Sequence, residues 1–179
     1  EMQHGVINDA GLVDVDVGLW TDACDRQLVE ICDVWDLPYA PVIYYSSTDN
    51  LPVANGGVRL LTIQKNIGVP GADGVHKNLF GLVFSRVQAK GNDTSITMSH
   101  ELSEESVNPL LTTWVRMPDG REVACEISDP TQGDMYTEPA KYGFKTRGVL
   151  VSNFVYPSYF DPNGKPPYDR MGRIKKPFE

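Results

Sequence analysis

Cysteine is scarce in this chain, and Cys24, Cys32 and Cys125 form an odd set with no Cys-x-x-Cys spacing. An odd set makes no complete disulfide framework, and the missing pair spacing argues against a cysteine-rich structural zinc site. Positive charge is short as well. Sixteen Lys and Arg stand against 24 Asp and Glu, a formal net charge of −8. Nothing supplies the basic stripe that phosphate tracking needs, so no nucleic-acid partner is expected. No apolar run approaches the roughly 18–20 residues of a membrane span, and no Lys/Arg-flanked apolar segment opens the chain as a signal peptide would. Familiar loop signatures are also missing. Gly68–Gly74 has no Lys-Ser/Thr to make a P-loop, and Ser99 lies in no Gly-x-Ser-x-Gly elbow. The acidic Asp129–Asp134 stretch lacks EF-hand spacing and its closing Glu. What remains reads as one soluble, acidic, globular domain of 179 residues.

Along the chain, three regions are expected. Residues 1–20 alternate weakly and read as an N-terminal arm or edge strand, residues 21–156 as the main domain, and residues 157–179 as an extended basic tail. Thr21 or Asp22 is a good N-cap, and Cys24, Leu28, Ile31, Cys32 and Trp35 then recur at helical spacing until Pro38 forces a stop. On such a helix Cys24 and Cys32 stand about 12 Å apart along the axis, too far to bridge, and read as buried small hydrophobes. Residues 42–45, 58–63, 79–87, 112–117, 122–127 and 149–156 are strand candidates. Residues 46–50 and 55–57 supply turn chemistry, and Pro118-Asp119-Gly120 reads as a hairpin turn. A second helix is expected over 94–107, ended by Asn108-Pro109. The order predicts an α+β fold, a small mixed β-sheet packed against two main helices.

Met98-Ser99-His100-Glu101-Leu102-Ser103-Glu104 is the stretch that can carry chemistry. On a helix His100 and Glu104 project from one face a turn apart, so an imidazole nitrogen and a carboxylate oxygen can reach one ion at roughly 2.0–2.2 Å, which suits Zn²⁺. Glu101 holds the position that, in the His-Glu-x-x-His arrangement, takes a proton from water. Glu104 stands where that arrangement has its second His, which adds negative charge and admits another divalent cation. The bland counterpart is a solvated acidic helix face. Downstream, Glu126 and Asp129 end a strand and offer a third ligand; their local alternative is turn formation before Pro130. His76 follows a Gly-rich loop and is a candidate oxyanion donor or extra ligand, or simply an exposed loop residue. His4, in the terminal segment, reads as incidental.

Ser99-His100-Glu101-Leu102 with Glu104, then Asn108-Pro109, Glu126–Pro130 and Val151-Ser152-Asn153-Phe154-Val155 together resemble the signature of a family of bacterial and phage proteins with a zincin-like, metallopeptidase-like core. Pro157, Phe160, Tyr168-Asp169, Gly172, Pro177-Phe178 and the upstream Gly74-Val75-His76 continue the likeness, which spans roughly residues 21–179. The resemblance implies a zincin-like core in which His100 and Glu104 ligate a zinc ion, Glu126 or Asp129 completes the set, and Glu101 is the general base. It implies a metal-dependent hydrolase with a peptide or protein substrate. The alternative is a non-catalytic structural or assembly protein, such as a phage particle component, making homo-oligomer or particle contacts through its terminal arms; the expected location is cytoplasmic or virion-associated. Asn108 and Asn153 depart from the family's Asp, and Val75 from its common Tyr, so each Asn removes a charge near the expected site. Five of the sixteen basic residues, Lys165, Arg170, Arg173, Lys175 and Lys176, crowd into the tail, which suggests docking on an acidic partner or another copy. Phe154, Tyr156, Tyr159 and Phe160 are candidates to line a cleft or a partner surface, while Tyr156 and Phe160, with Pro157 between them, read as packing that tail onto the core.

Overall fold

A computed structural model describes residues 2–46, 51 and 57–179. The fold is α+β. Strands β1 (Gln3–Asn8), β2 (Val42–Tyr45), β3 (Val58–Gln64), β4 (Gly74–Leu79) and β5 (Leu82–Gln88) form a mixed sheet in the order β2-β1-β3-β5-β4. The first four in that order run parallel, and β4 runs antiparallel to β5 at one edge. Two helices, α1 (Asp14–Trp35) and α2 (Thr94–Val107), pack against one another, α1 on β2 and α2 on β4 and β5. A short hairpin, β6 (Trp114–Arg116) with β7 (Glu122–Ala124), follows α2, and a longer one, β8 (Met135–Tyr142) with β9 (Lys145–Ser152), lies on both helices. Among the described residues no helix is long and apolar enough to cross a membrane.

The structure corrects several expectations. Residues 2–20 are neither arm nor edge strand. Val6 and Ile7 are buried in β1, which has a parallel neighbour on each side, and α1 begins at Asp14 rather than Thr21. Asp14 and Asp16 in the first turn suit the positive end of the helix dipole, and Val17, Leu19 and Trp20 turn into the core. The 79–87 run is not one strand. It is the second half of a hairpin whose turn, Phe80-Gly81, has positive φ at both residues, 52° and 87°. The last strand is Lys145–Ser152, not 149–156, and its partner β8 was not expected at all. The turn residues expected at 47–50 and 55–56 lie outside the described residues.

Helix α1 ends as Pro38 requires, with Asp36 in the left-handed region and its N–H directed at Cys32 and Asp33 carbonyls. Cys24, Cys32 and Cys125 are all free and buried. The tail folds back on the core: Phe160 meets the Trp35 ring at 6.0 Å and Tyr159 at 5.0 Å, with Phe178 alongside. Two of its cations are engaged within the chain, Arg170 with Glu30 and Arg173 with Asp134.

Candidate metal centre

Helix α2 has few apolar residues, yet most of it is buried, because its small Ser and Thr side chains bond neighbouring backbone. Ser95 Oγ donates to Leu150 O at 2.8 Å, and Ser99 Oγ accepts from Ser152 N–H at 2.7 Å, which stitches α2 to β9. Ser99 is thereby spent on structure. On another face Glu105 is buried against His4 of β1 and Ser85 of β5. These anchors fix the rotation of α2, and the next face presents His100, Glu101 and Glu104 toward β4.

The segment after β7 brings the other carboxylates. Asn108, at the C-terminal end of α2, donates to Glu126 Oε1 at 3.2 Å and accepts from Thr113 N–H at 2.9 Å. Ile127 O accepts from Val155 N–H at 2.8 Å, and Asp129 opens a short 3-10 turn held by Thr131 Oγ1 donating to Asn153 O. Asn108 thus hands Glu126 a donor where Asp would add repulsion. Asn153 is away from the cavity, and its Nδ2 donates to buried Asp169 at 2.8 Å.

All six candidate residues, His76, His100, Glu101, Glu104, Glu126 and Asp129, line one cavity of about 720 Å³. His76 comes from edge strand β4, not from a loop. Its Nδ1 lies 3.6 Å from both Glu101 Oε2 and Glu104 Oε2, and its Nε2 lies 3.7 Å from Glu126 Oε2. His100 Nε2 lies 3.2 Å from Glu104 Oε1 and 3.3 Å from Asp129 Oδ1. The donors fall into two sets, His76-Glu104-Glu126 and His100-Glu104-Asp129, each with its ligand atoms within 4.8 Å of one another. Gly74 makes room for this arrangement, since a Cβ there would collide with the Glu101 carboxyl and the Thr97 methyl.

A divalent cation fits these donors on two grounds. Two donors on one tetrahedral ion at 2.0–2.2 Å stand roughly 3.3–3.6 Å apart, close to the separations here and longer than the usual N–H···O bond of roughly 2.9–3.0 Å. Furthermore, His76 Nε2, Glu104 Oε1 and Glu126 Oε2 are buried with no hydrogen-bond partner. Such atoms are costly unless something else satisfies them.

The electrostatics agree. Burial opposes charge on His76, but the facing Glu101 and Glu104 carboxylates and the charge of Glu126 outweigh it and push its pKa up to about 10. Burial is likewise outweighed at His100, where Asp129 and Glu104 raise the pKa to about 10. Burial would raise Glu104, yet the two imidazoles hold it down to about 2. Glu126 is pushed up to about 7 by burial and by the charge of Glu104, and burial also raises Glu101 against the pull of His76. Negative charge is crowded here beyond what the imidazoles balance. No family model, curated protein or solved structure matches the chain.

Sequence reasoning missed His4, which is buried against Glu105 rather than incidental. The available signal was the polarity of α2: three glutamates on a helix with too few apolar residues to form a stripe need buried partners.

Proposed function

We propose that the chain is a metal-dependent hydrolase with a zincin-like, metallopeptidase-like core, acting on a peptide bond. The observation that carries this reading is the convergence of His100, Glu104 and Asp129 with Glu101 and His76 in one cavity, from segments distant in sequence. His100, Glu104 and Asp129 would hold the ion, and their nitrogen and oxygen donors suit Zn²⁺. A bound ion of this kind supplies Lewis acidity and lowers the pKa of water. Glu101 belongs to neither donor set, is 5% exposed and lines the same cavity, so it is the carboxylate free to accept a proton. His76 Nδ1 lies 3.6 Å from its Oε2 and would help to position it. The peptide assignment comes from β4, the edge strand whose outer side pairs with no other strand among the described residues. Gly74, Val75 and His76 on it border the cavity, where an extended peptide can add as a further strand. A scaffold-only role draws no support from the cavity, since Asp129, with its side chain 62% exposed, leaves it open to solvent.

The test is cleavage of unstructured protein and of a mixed fluorogenic peptide library by the Zn²⁺-loaded chain. Cleavage is expected to stop with a chelator, return with Zn²⁺, and disappear in Glu101→Gln while metal binding and fold persist. Absence of a bound ion after Zn²⁺ loading, or full activity in Glu101→Gln, rejects the reading.

A further inference from the structure

We propose that the site is built for two divalent cations bridged by Glu104, with His76 and Glu126 completing one position and His100 and Asp129 the other. This rests on the metal reading above and extends it from one ion to two. Glu104 turns a different oxygen to each histidine: Oε2 toward His76 Nδ1 at 3.6 Å, and Oε1 toward His100 Nε2 at 3.2 Å. A carboxylate arranged so is a bridge, and Glu104 is the one residue the two donor sets share. Each set then brings a histidine and a carboxylate of its own, so neither borrows from the other.

The unpartnered atoms decide between one ion and two. An ion held by His100, Glu104 and Asp129 satisfies Glu104 Oε1, but it leaves His76 Nε2 and Glu126 Oε2 buried without partners. Both residues belong to the other set, and the His76 side chain is only 6% exposed. A second ion takes Glu126 Oε2 and one of the two His76 nitrogens, which reduces that deficit. Charge points the same way. Ligating imidazoles are neutral, and among the described residues no Lys or Arg forms an ion pair with Glu101, Glu104, Glu126 or Asp129. Two divalent cations balance those four carboxylates, whereas one leaves two negative charges beside the buried Glu101 and Glu104. Paired ions about 3.5–4 Å apart are a recognised hydrolytic device, stabilising both the attacking and the leaving oxygen.

The full-length chain, stripped with a chelator, is titrated with Zn²⁺ alone by calorimetry, and bound metal is counted after equilibrium dialysis. Two ions per chain are expected in the wild type, and one each in His76→Ala and His100→Ala, with circular dichroism confirming that both variants fold. Loading the wild type with Mn²⁺ needs no variant and should give the resonance spectrum of a spin-coupled pair rather than of isolated ions. One ion per chain with an isolated-ion spectrum overturns the second site and leaves the single-ion hydrolase standing. Two ions retained in folded His76→Ala also overturn it. No ion at all removes both readings.

Discussion

His4 and Glu105, 101 residues apart in sequence, form a buried pair with His4 Nδ1 3.0 Å from Glu105 Oε1. Ser85 donates to the other carboxylate oxygen, and Arg59 donates to the Glu105 carbonyl at 3.1 Å. Successive helix residues project roughly 100° apart, so holding Glu105 against the sheet aims Glu104 into the cavity. Glu105→Ala strands His4 Nδ1 and Ser85 Oγ without partners, with only the 3.4 Å contact of His4 Nε2 to Ser106 Oγ retained, and should cost about 3–5 kcal/mol in urea denaturation. Glu105→Gln keeps one donor and one acceptor for the same neighbours and should cost clearly less. An unchanged midpoint in Glu105→Ala would show that the pair anchors nothing.

Gly74 and Glu101 are complementary in space. Adding a methyl at Gly74 drives it into the Glu101 carboxyl and the Thr97 side chain. Gly74→Ala should therefore shift Glu101, cost about 1–3 kcal/mol of stability and sharply reduce any hydrolysis. His100, Glu104 and Asp129 are not displaced, so Zn²⁺ binding at that set should survive. Loss of binding together with activity would mean that Gly74 supports the fold rather than the position of Glu101.

Helix α2 was legible because Thr94 and Asn108-Pro109 mark its ends locally, and its His-Glu-x-x-Glu spacing named three of the cavity residues, to which the downstream Glu126 and Asp129 add two. What was not legible depended on contacts far away in sequence. The alternation of Val13, Val15 and Val17 resembles a strand, and only packing of Val17, Leu19 and Trp20 on the core makes it helical. Strand β8 was hidden by Pro139 and its charges, although Tyr136 and Ala140 share its inward face with Glu138. The division of donors between His76 and His100 was equally invisible, since it depends on β4 being an edge strand beside α2.

Asn153 and Asp169 make a second buried contact with a consequence for pH. Nδ2 of Asn153 donates to Asp169 Oδ2 at 2.8 Å, and the other Asp169 oxygen accepts from Ile174 N–H at 2.8 Å, so the pair pins the tail. Asn153→Asp replaces the donor by a second carboxyl in a site where both residues are buried. The new carboxyl must ionise beside an existing charge, which raises its pKa above the unfolded value. A group raised in the fold favours the fold while protonated, so the variant's deficit should grow as pH rises above about 4 and shrink below it. Urea midpoints at pH 4 and pH 7 check the sign; a deficit of about 3 kcal/mol at neutral pH is expected. Equal deficits at the two values would contradict it.

The thiols should be silent in the folded chain. Burial pushes Cys24 and Cys32 upward, and burial with the charge of Glu126 takes Cys125 up to about 12. An ordinary thiol with pKa near 8.5 is about half thiolate at that pH. Iodoacetamide at pH 8.5 should therefore label the urea-unfolded chain rapidly and the native chain only as fast as it opens. Prompt labelling of a native cysteine would reveal an access route to the core that the static fold lacks.

Cation binding should be felt far from the cavity, because its donors tie together pieces of chain that otherwise meet through packing and a few hydrogen bonds such as Asn108 to Glu126. His76 belongs to β4, His100 and Glu104 to α2, and Glu126 and Asp129 to the segment that leads into β8. An ion that binds only when these are assembled stabilises the fold by mass action, about 2.7 kcal/mol at a free concentration one hundred times the dissociation constant. Thermal unfolding should shift upward with Zn²⁺ and return with a chelator. In Glu104→Gln the shift should largely vanish, since that residue serves both donor sets. In Glu101→Gln, outside both sets, it should persist at nearly full size. A Zn²⁺ shift of the same size in Glu104→Gln would mean that the stabilising ion binds elsewhere on this acidic surface.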